Sequence, residues 1–230
     1  SCMATVLIPA AASAQQENID SSYRWIDRSM RGGLFAGYLF TSRGNLDQAP
    51  GSAPIVGARL RARLSSPSPY EVSVGYGSSD LYVTDTRLEV PSIVDTTQSD
   101  WLLIEAYLQL SLTGARSVKS FQPYVFIGGG ILQGISEEVA DVFAAPGLDP
   151  YRFKIGTTPS LSVGVGAEWD ISDRLGLGLE IRDHIWKFNS PDAFFYPENL
   201  GNFLESGVEA PKEGFWTNNF EVSTTLSYYF

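Results

Sequence analysis

The chain has a single cysteine and a single histidine, Cys2 and His184, among its 230 residues. One cysteine excludes an intramolecular disulfide framework, and so few Cys and His residues exclude a zinc site of the Cys/His type. The sequence contains no apolar run of about 18 residues, so it predicts no transmembrane helix. Basic residues are also scarce, because 16 Lys and Arg stand against 26 Asp and Glu. The net charge of -10 argues against nucleic acid as a partner.

The N-terminal residues have the pattern of the end of a secretory signal. An apolar stretch is followed by the small tripeptide Ala-Ser-Ala, which ends at Ala14 and fits a cleavage site. The sequence therefore predicts a signal-peptide remnant at 1–14, a periplasmic N-terminal segment at 15–31 and one β-rich domain at 32–230. Lipidation of Cys2 is the alternative, although an apolar run after the cysteine is unlike the polar linker of a lipoprotein.

Eight strand-like segments succeed one another from residue 32 to the C-terminus, with no long amphipathic helix predicted between them. They are residues 32–40, 55–65, 70–77, 101–112, 121–130, 160–171, 175–188 and 218–230. The connections alternate between long and short along the chain. An up-and-down outer-membrane barrel has an even number of strands, short periplasmic turns and long outer loops. We therefore expect an all-β fold, an eight-stranded antiparallel up-and-down transmembrane β-barrel.

Most of these strands have one apolar face and one polar face. In segment 55–65, for example, Val56, Ala58 and Leu60 alternate with arginines. The polar faces of an eight-stranded barrel fill its lumen, where charges must pair. The predicted lumen charges are nearly balanced and consist of Arg59, Arg61, Arg63, Glu71, Glu105, Glu168, Glu180, Arg182 and Glu221. Segments 32–40 and 121–130 are ambiguous because both of their faces are apolar or glycine.

The excess negative charge lies in the long connections. Residues 78–100 and 189–217 each carry a net charge of -4, and residues 131–159 carry -2.

Aromatic residues occur near the strand ends, where they predict girdles at the two membrane interfaces. These are Tyr38, Phe40, Tyr76, Trp101, Trp169, Trp186, Tyr228 and Phe230.

Three stretches resemble the small outer-membrane β-barrel proteins of the OmpA/OmpX-like class. They are QPYVFIGGG at 122–130, VGVGAEWDISDRLGLGLEIRD at 163–183, and the alternating last strand that ends with Leu226, Tyr228 and Phe230. The resemblance covers residues 32–230 and implies a location in the bacterial outer membrane, in contact with outer-membrane lipid and lipopolysaccharide. It also implies that the C-terminal residues are the assembly signal read by the barrel-assembly machinery. It leaves the function open, since barrels of this size include adhesins, anchors, narrow transporters and enzymes.

The acidic outer loops favour a non-enzymatic structural or interaction protein that contacts an extracellular protein or a glycan. A narrow channel for small or apolar solutes, a lipid-modifying enzyme and a soluble exported β-sandwich are the alternatives. His184 would be the base of such an enzyme, with Ser162 on another strand as a candidate nucleophile, whereas Asp183 faces the opposite side. A histidine in the lumen or at its rim is the simpler interpretation. The acidic loops lack EF-hand spacing, and calcium binding by them stays an open alternative. The sequence predicts no cofactor, no metal site and no catalytic residue.

Overall fold

A computed structural model of the chain describes residues 23–25, 30–62, 69–114, 116–137 and 153–230. The predicted signal remnant with Cys2, most of the segment 15–31 and Arg63 lie outside these residues. The described residues form eight long strands and two short ones. They are β1 (Tyr23–Trp25), β2 (Met30–Thr41), β3 (Ala53–Ala62), β4 (Tyr70–Asp85), β5 (Ser92–Ser111), β6 (Arg116–Val118), β7 (Phe121–Glu137), β8 (Thr157–Asp170), β9 (Leu175–Asn189) and β10 (Gly214–Tyr229).

The eight long strands form a closed antiparallel ring. Each pairs with its neighbours in the order β2-β3-β4-β5-β7-β8-β9-β10, and β10 returns to β2. The closing register runs from Asn219 opposite Thr41 to Tyr229 opposite Arg31. Closure leaves no unpaired sheet edge in the wall. The predicted fold class is therefore confirmed, including the role of the last strand as the partner of the first.

Side chains alternate between the two faces of the wall along every long strand. In β10 the burial alternates strictly from Gly214 to Tyr229, so Glu221, Ser223 and Thr225 are buried while Val222 and Leu226 are exposed. Exposed Leu, Val, Ile and aromatic residues cover the outer surface of all eight strands. An apolar outer belt around a polar lumen is the arrangement that a lipid bilayer requires of a barrel.

The strands extend further on the long-loop side than the sequence predicts. Strands β4 and β5 stay paired to Asp85 opposite Ser92, so most of the predicted loop 78–100 is a hairpin. The connection between β9 and β10 holds a 3-10 turn (Asp192–Phe195) and a helix, α1 (Pro197–Ser206). Helix α1 begins with Pro197 and is followed by Gly207 at φ 72. Proline at the first position and a left-handed glycine after the last are common at helix ends.

The short strand β1 lies at the opposite, periplasmic end of the barrel. It pairs with β6, which belongs to the turn between β5 and β7. In the ring, β7 is four strands away from β2 in either direction. Strand β1, which precedes the barrel in the sequence, therefore lies on the far side of the ring from β2, the strand that follows it. No helix among the described residues is long and apolar enough to cross a membrane.

The lumen is filled by two layers of different chemistry. On β9, Glu180, Arg182 and His184 face inward along the middle of the strand, and Trp186 and Phe188 follow on the same face toward the extracellular side. The extracellular layer is one apolar cluster with members from seven of the eight barrel strands, all except β8. It contains Phe35, Leu39, Ala49, Ala53, Ile55, Leu81, Trp101, Leu103, Leu132, Phe153, Ile155, Trp186, Phe188 and Phe215.

The prediction that Trp101 and Trp186 belong to the interfacial girdles is wrong. Trp101 and Trp186 are each 1% exposed and lie in the lumen, with their rings 6.3 Å apart, instead of in an interfacial girdle. Their indole N–H groups donate to Ser79 at 3.1 Å and to Ser160 at 3.2 Å, respectively. A buried tryptophan needs such a partner. The other six predicted girdle aromatics are exposed on the outer face.

Candidate functional site

The periplasmic layer of the lumen is organised around Glu180. Its carboxylate accepts hydrogen bonds from the guanidinium groups of Arg59 and Arg182 and from the hydroxyl of Tyr124 at 2.5 Å. These groups come from strands β3, β9 and β7, and all are buried. A buried carboxylate is tolerable only when its charge is compensated and its oxygens are hydrogen-bonded. Glu180 meets both conditions.

A second set of contacts extends the network toward the periplasm. Arg61 contacts Glu71 at 2.8 Å and Glu168 at 3.3 Å. Glu71 also accepts from Arg182 at 3.1 Å, which joins this set to Glu180. Arg31, at the start of β2, forms an ion pair with Glu168. Because the lumen is narrow, Arg59, Arg61 and Arg182 each reach carboxylates on at least two strands.

The third set is built around His184, which is 0% exposed. Its Nε2 lies 3.1 Å from a Glu221 oxygen and its Nδ1 lies 3.4 Å from a Glu105 oxygen. Ser162 Oγ is 2.8 Å from Nδ1 and donates to Glu105 at 2.5 Å. Since the serine has one proton and gives it to Glu105, Nδ1 has to donate to the serine. A ring that donates from both nitrogens to acceptors carries a positive charge.

The described network holds five carboxylates and five basic groups. Eight of the nine predicted lumen residues are in it, and Arg63 lies outside the described residues. Two basic groups of the network lie outside that predicted set: Arg31, which was not predicted, and His184, which was expected in the lumen or at its rim. Arg31 was missed because the first barrel strand begins at Met30, two residues before the predicted start. His184 faces the same side as Glu180 and Arg182, so its period-two position was the available signal.

Aromatic rings sandwich the arginines. Arg59 lies over Phe35 at 4.0 Å, and Arg182 lies over Tyr107 at 4.4 Å and Phe126 at 4.8 Å. Cation–π contacts of this kind stabilise a guanidinium removed from water. A cavity of ≈ 10 Å³ lies between Arg31, Arg59 and their neighbours. That volume is about one water molecule.

The contact between Ser162 and His184 has the composition of a catalytic pair. Strand pairing places Ser162 of β8 directly opposite His184 of β9. Both side chains are 0% exposed. A histidine that donates from both nitrogens cannot take a proton from serine. The arrangement can hold charge.

The loops on the extracellular side form a folded unit, here termed the extracellular cap and comprising residues 42–52, 80–98 and 190–213. Asn202 of α1 donates to the Thr86 carbonyl at 3.1 Å, and Arg43 lies over the Tyr82 ring at 3.5 Å. At the hairpin tip, hydrogen bonds from Arg87 hold the pKa of Asp85 below its usual value. Exposed apolar residues lie on this cap, including Leu88, Val90 and Leu204.

The described loops contain no group of three or more His, Cys, Asp or Glu side chains that could hold a metal ion. Residues 138–152, with part of the acidic loop 131–159, are outside the described residues. At the other end of the barrel, Leu226, Tyr228 and Phe230 are exposed on the outer wall. The backbone N–H of Phe230 donates to the Met30 carbonyl at 3.2 Å, which fixes the end of the chain against the first strand.

A closed eight-stranded barrel with an apolar belt and a charge-paired lumen defines an outer-membrane β-barrel protein. A solved outer-membrane protein shares this fold, and two others are similar at lower TM-scores. OprG from Pseudomonas aeruginosa is 12% identical, with a TM-score of 0.53 over 88% of this chain and 97% of OprG. Neisserial surface protein A is 12% identical over 91% of this chain and 98% of its own, with a TM-score of 0.49. AlkL, solved in lipid bilayers, is 13% identical over 90% of this chain and 92% of its own, with a TM-score of 0.44.

At these identities the likeness concerns the fold. No protein-family model matches the chain, and a search of curated proteins finds no match. The closed barrel and its apolar belt place the chain in the bacterial outer membrane.

Proposed function

We propose that the protein is a non-enzymatic outer-membrane barrel whose extracellular cap contacts a partner, either a protein or the surface polysaccharide. The lumen charge network serves this function by making the barrel a rigid base. The observation that carries the proposal is the contrast between the two parts of the molecule. The lumen is filled, while the cap is folded and carries exposed apolar residues.

The filled lumen argues against the alternative of a narrow channel. Glu180, Arg182 and Arg59 cross the lumen in the charged layer, and the apolar layer with Trp101 and Trp186 lies above them. A solute would have to break buried ion pairs and displace packed aromatic rings. Each of these steps costs several kcal/mol, on the order of 3–5 for one buried pair.

The cap has the features of a contact surface. Leu88 and Val90 at the hairpin tip and Leu204 on α1 are exposed, with Leu204 76% exposed. Glu89 and Glu205 lie beside them and are also exposed. Exposed apolar residues rimmed by charge are typical of protein or glycan contact sites. The acidic rim favours a partner with basic or neutral groups.

The enzyme alternative has one observation in its favour, the contact of Ser162 with His184. Burial and the donor role of both ring nitrogens count against it, as described above. A lipid-modifying activity would require a lipid to reach a serine hydroxyl that is 0% exposed.

Site-specific photo-crosslinking in intact cells tests the proposal. A photoreactive residue is placed at Val90 or Leu204 on the cap, and at Ile171 in the periplasmic turn as a matched control that is 61% exposed. We expect a discrete protein or polysaccharide adduct from at least one cap position and not from Ile171. The absence of an adduct from both cap positions in correctly folded protein would refute the cap as a contact surface. Planar-bilayer recordings of the same protein should show no conductance, and a reproducible channel would support the rival function instead.

A further inference from the structure

The outer wall of β9 carries a carboxylate in the apolar belt. Asp183 is on the lipid-facing side, in line with the exposed Ile181 and the partly exposed Ile185. Its direct neighbours on the adjoining strands are Val163 and Phe220, both exposed and apolar. A charged residue on the lipid face of a barrel destabilises it, and the cost rises with depth. The position of Asp183 therefore needs a physical reason.

One oxygen of this carboxylate has no hydrogen bond. Asp183 Oδ1 is shielded from solvent, and no described residue donates to it. Asn218 lies diagonally across on β10, opposite Ile185, and is exposed on the same outer face. A shielded carboxylate oxygen without a donor is costly. A donor from the surrounding lipid would remove that cost.

The depth of Asp183 restricts which part of a lipid it meets. Asp183 is eight residues beyond Leu175, the periplasmic end of β9. With a rise of about 3.3 Å per residue and a tilt of about 40°, that is about 20 Å along the barrel axis. The apolar belt of such barrels is about 25 Å tall. Asp183 thus faces the outer leaflet, close to its headgroups.

A pocket lies above Asp183 on the same wall. It has a volume of ≈ 500 Å³, and its lining includes Lys187, Asn189 and Trp216. Lys187 and Trp216 are directly opposite each other on β9 and β10, with the Lys187 ammonium 5.9 Å from the centre of the indole ring. Trp216 is 63% exposed. The pair thus offers a cation for an anionic group and a flat apolar surface for a sugar ring.

We propose that this strip of wall, Asp183, Asn218, Lys187 and Trp216, is a binding site for a phosphorylated glycolipid of the outer leaflet. Lys187 binds a phosphate of the headgroup, and Trp216 packs against a sugar ring. Asp183 and Asn218 accept hydrogen bonds from hydroxyl and amide groups where the acyl chains join the sugar. Lys187 lies about 10 Å above Asp183 along the barrel axis. The order of the groups matches the order of phosphate, sugar and acyl linkage in such a lipid.

Two carboxylates also line the pocket, those of Asp192 and Glu213. They would repel a phosphate if nothing lay between them, so a divalent cation is expected to accompany the lipid. The site borders the cap at Asp192 and Glu213 but does not involve Leu88, Val90 or Leu204, which carry the proposed partner contact. Its test is therefore independent of the proposed function.

The test measures binding of defined lipids to the full-length folded protein in detergent with Mg²⁺ present. The probes are diphosphorylated lipid A, the same lipid without phosphates, and phosphatidylglycerol, and native mass spectrometry reads the bound fraction. The variants are Lys187→Ala, Trp216→Ala and Asp183→Leu. The matched controls are Lys154→Ala, an exposed lysine elsewhere on the chain, and Trp169→Ala, an exposed tryptophan near the periplasmic end. A heat-dependent gel shift establishes that each variant is folded.

We expect Lys187→Ala to weaken binding of diphosphorylated lipid A about tenfold, the effect of losing one charge-assisted hydrogen bond. It should leave binding of the dephosphorylated lipid unchanged. Trp216→Ala and Asp183→Leu should weaken binding of both forms, and the two controls should weaken neither. Equal affinity in Lys187→Ala and wild type, or an equal loss in Lys154→Ala, would overturn the site. Binding of phosphatidylglycerol that is as tight and as dependent on Lys187 would overturn the glycolipid as its ligand.

Discussion

Replacing Glu180 with Gln removes one negative charge from the centre of the lumen charge network. Glu180 contacts the guanidinium groups of Arg59 and Arg182, whose side chains are 4% and 1% exposed. Glutamine has nearly the same volume, so the change creates no cavity, but it leaves these cations without their shared partner. Breaking a buried ion pair on one side costs about 3–5 kcal/mol. We expect Glu180→Gln to lower the free energy of unfolding by this amount.

Urea unfolding of the protein in lipid vesicles measures the effect. Trp101 and Trp186 lie in the lumen directly above the network, so their fluorescence reports on it. A second variant, Arg182→Met, removes an opposite charge. The double variant should be more stable than the sum of the single losses predicts, because it removes both members of a contacting pair.

The control is Glu209→Ala, which removes an exposed partner of Lys212. An exposed pair of this kind contributes less than about 1 kcal/mol. A loss below about 1 kcal/mol in Glu180→Gln, or strict additivity with Arg182→Met, would refute the view that buried ion pairs hold the lumen together.

Three further predictions concern other residues. His184→Leu should lower the unfolding free energy by about 3 kcal/mol, because it leaves Glu105 and Glu221 without their shared cation. The variant should leave the lipid composition of the outer membrane unchanged. An altered lipid pattern on mass spectrometry would instead support catalysis by His184. Gly130→Ala should cost about 1–3 kcal/mol in urea unfolding, because its Cβ would lie 1.9 Å from the Ile104 carbonyl oxygen. Gly178→Ala, whose Cβ would meet no atom closer than 3.5 Å, is the tolerated control. Deleting Phe230 should reduce the heat-modifiable, membrane-inserted fraction of the protein in cells. The control Leu204→Ala alters an equally exposed residue and should not reduce that fraction. Equal insertion of the two variants would show that Phe230 is not part of the assembly signal.

The alternation of polar and apolar residues predicts most of the barrel, because a bilayer outside and a charged lumen inside give each strand two different faces. The prediction is ambiguous where the lumen itself is apolar. Strands β2 and β7 point Phe35, Leu39 and Leu132 inward while their outer faces are also apolar. Polarity then does not differ between the faces. The same apolar layer explains why Trp101 and Trp186 were expected at an interface.

The contacts of the network depend on register, which sequence spacing does not reveal. Ser162 pairs directly with His184 because of the turn at 171–174, and a shift of one residue would separate them. The sequence predicts the cap as acidic loops with a packed or docking segment at 192–207, and it does not predict the contacts within the cap. Its helix is short, and its fold depends on contacts between loops that are distant in sequence, such as Asn202 with Thr86.

The lumen charge network also bears on how the barrel forms. Its members come from all eight barrel strands: Arg31, Arg59, Glu71, Glu105, Tyr124, Glu168, Glu180 and Glu221. Arg59 and Glu221 are separated by 162 residues along the chain and meet only when β10 has reached β2. Any partly assembled sheet would leave some of these charges unpaired and in need of water. Folding is therefore expected to be slow and cooperative, with the lumen hydrated until the last strand closes it.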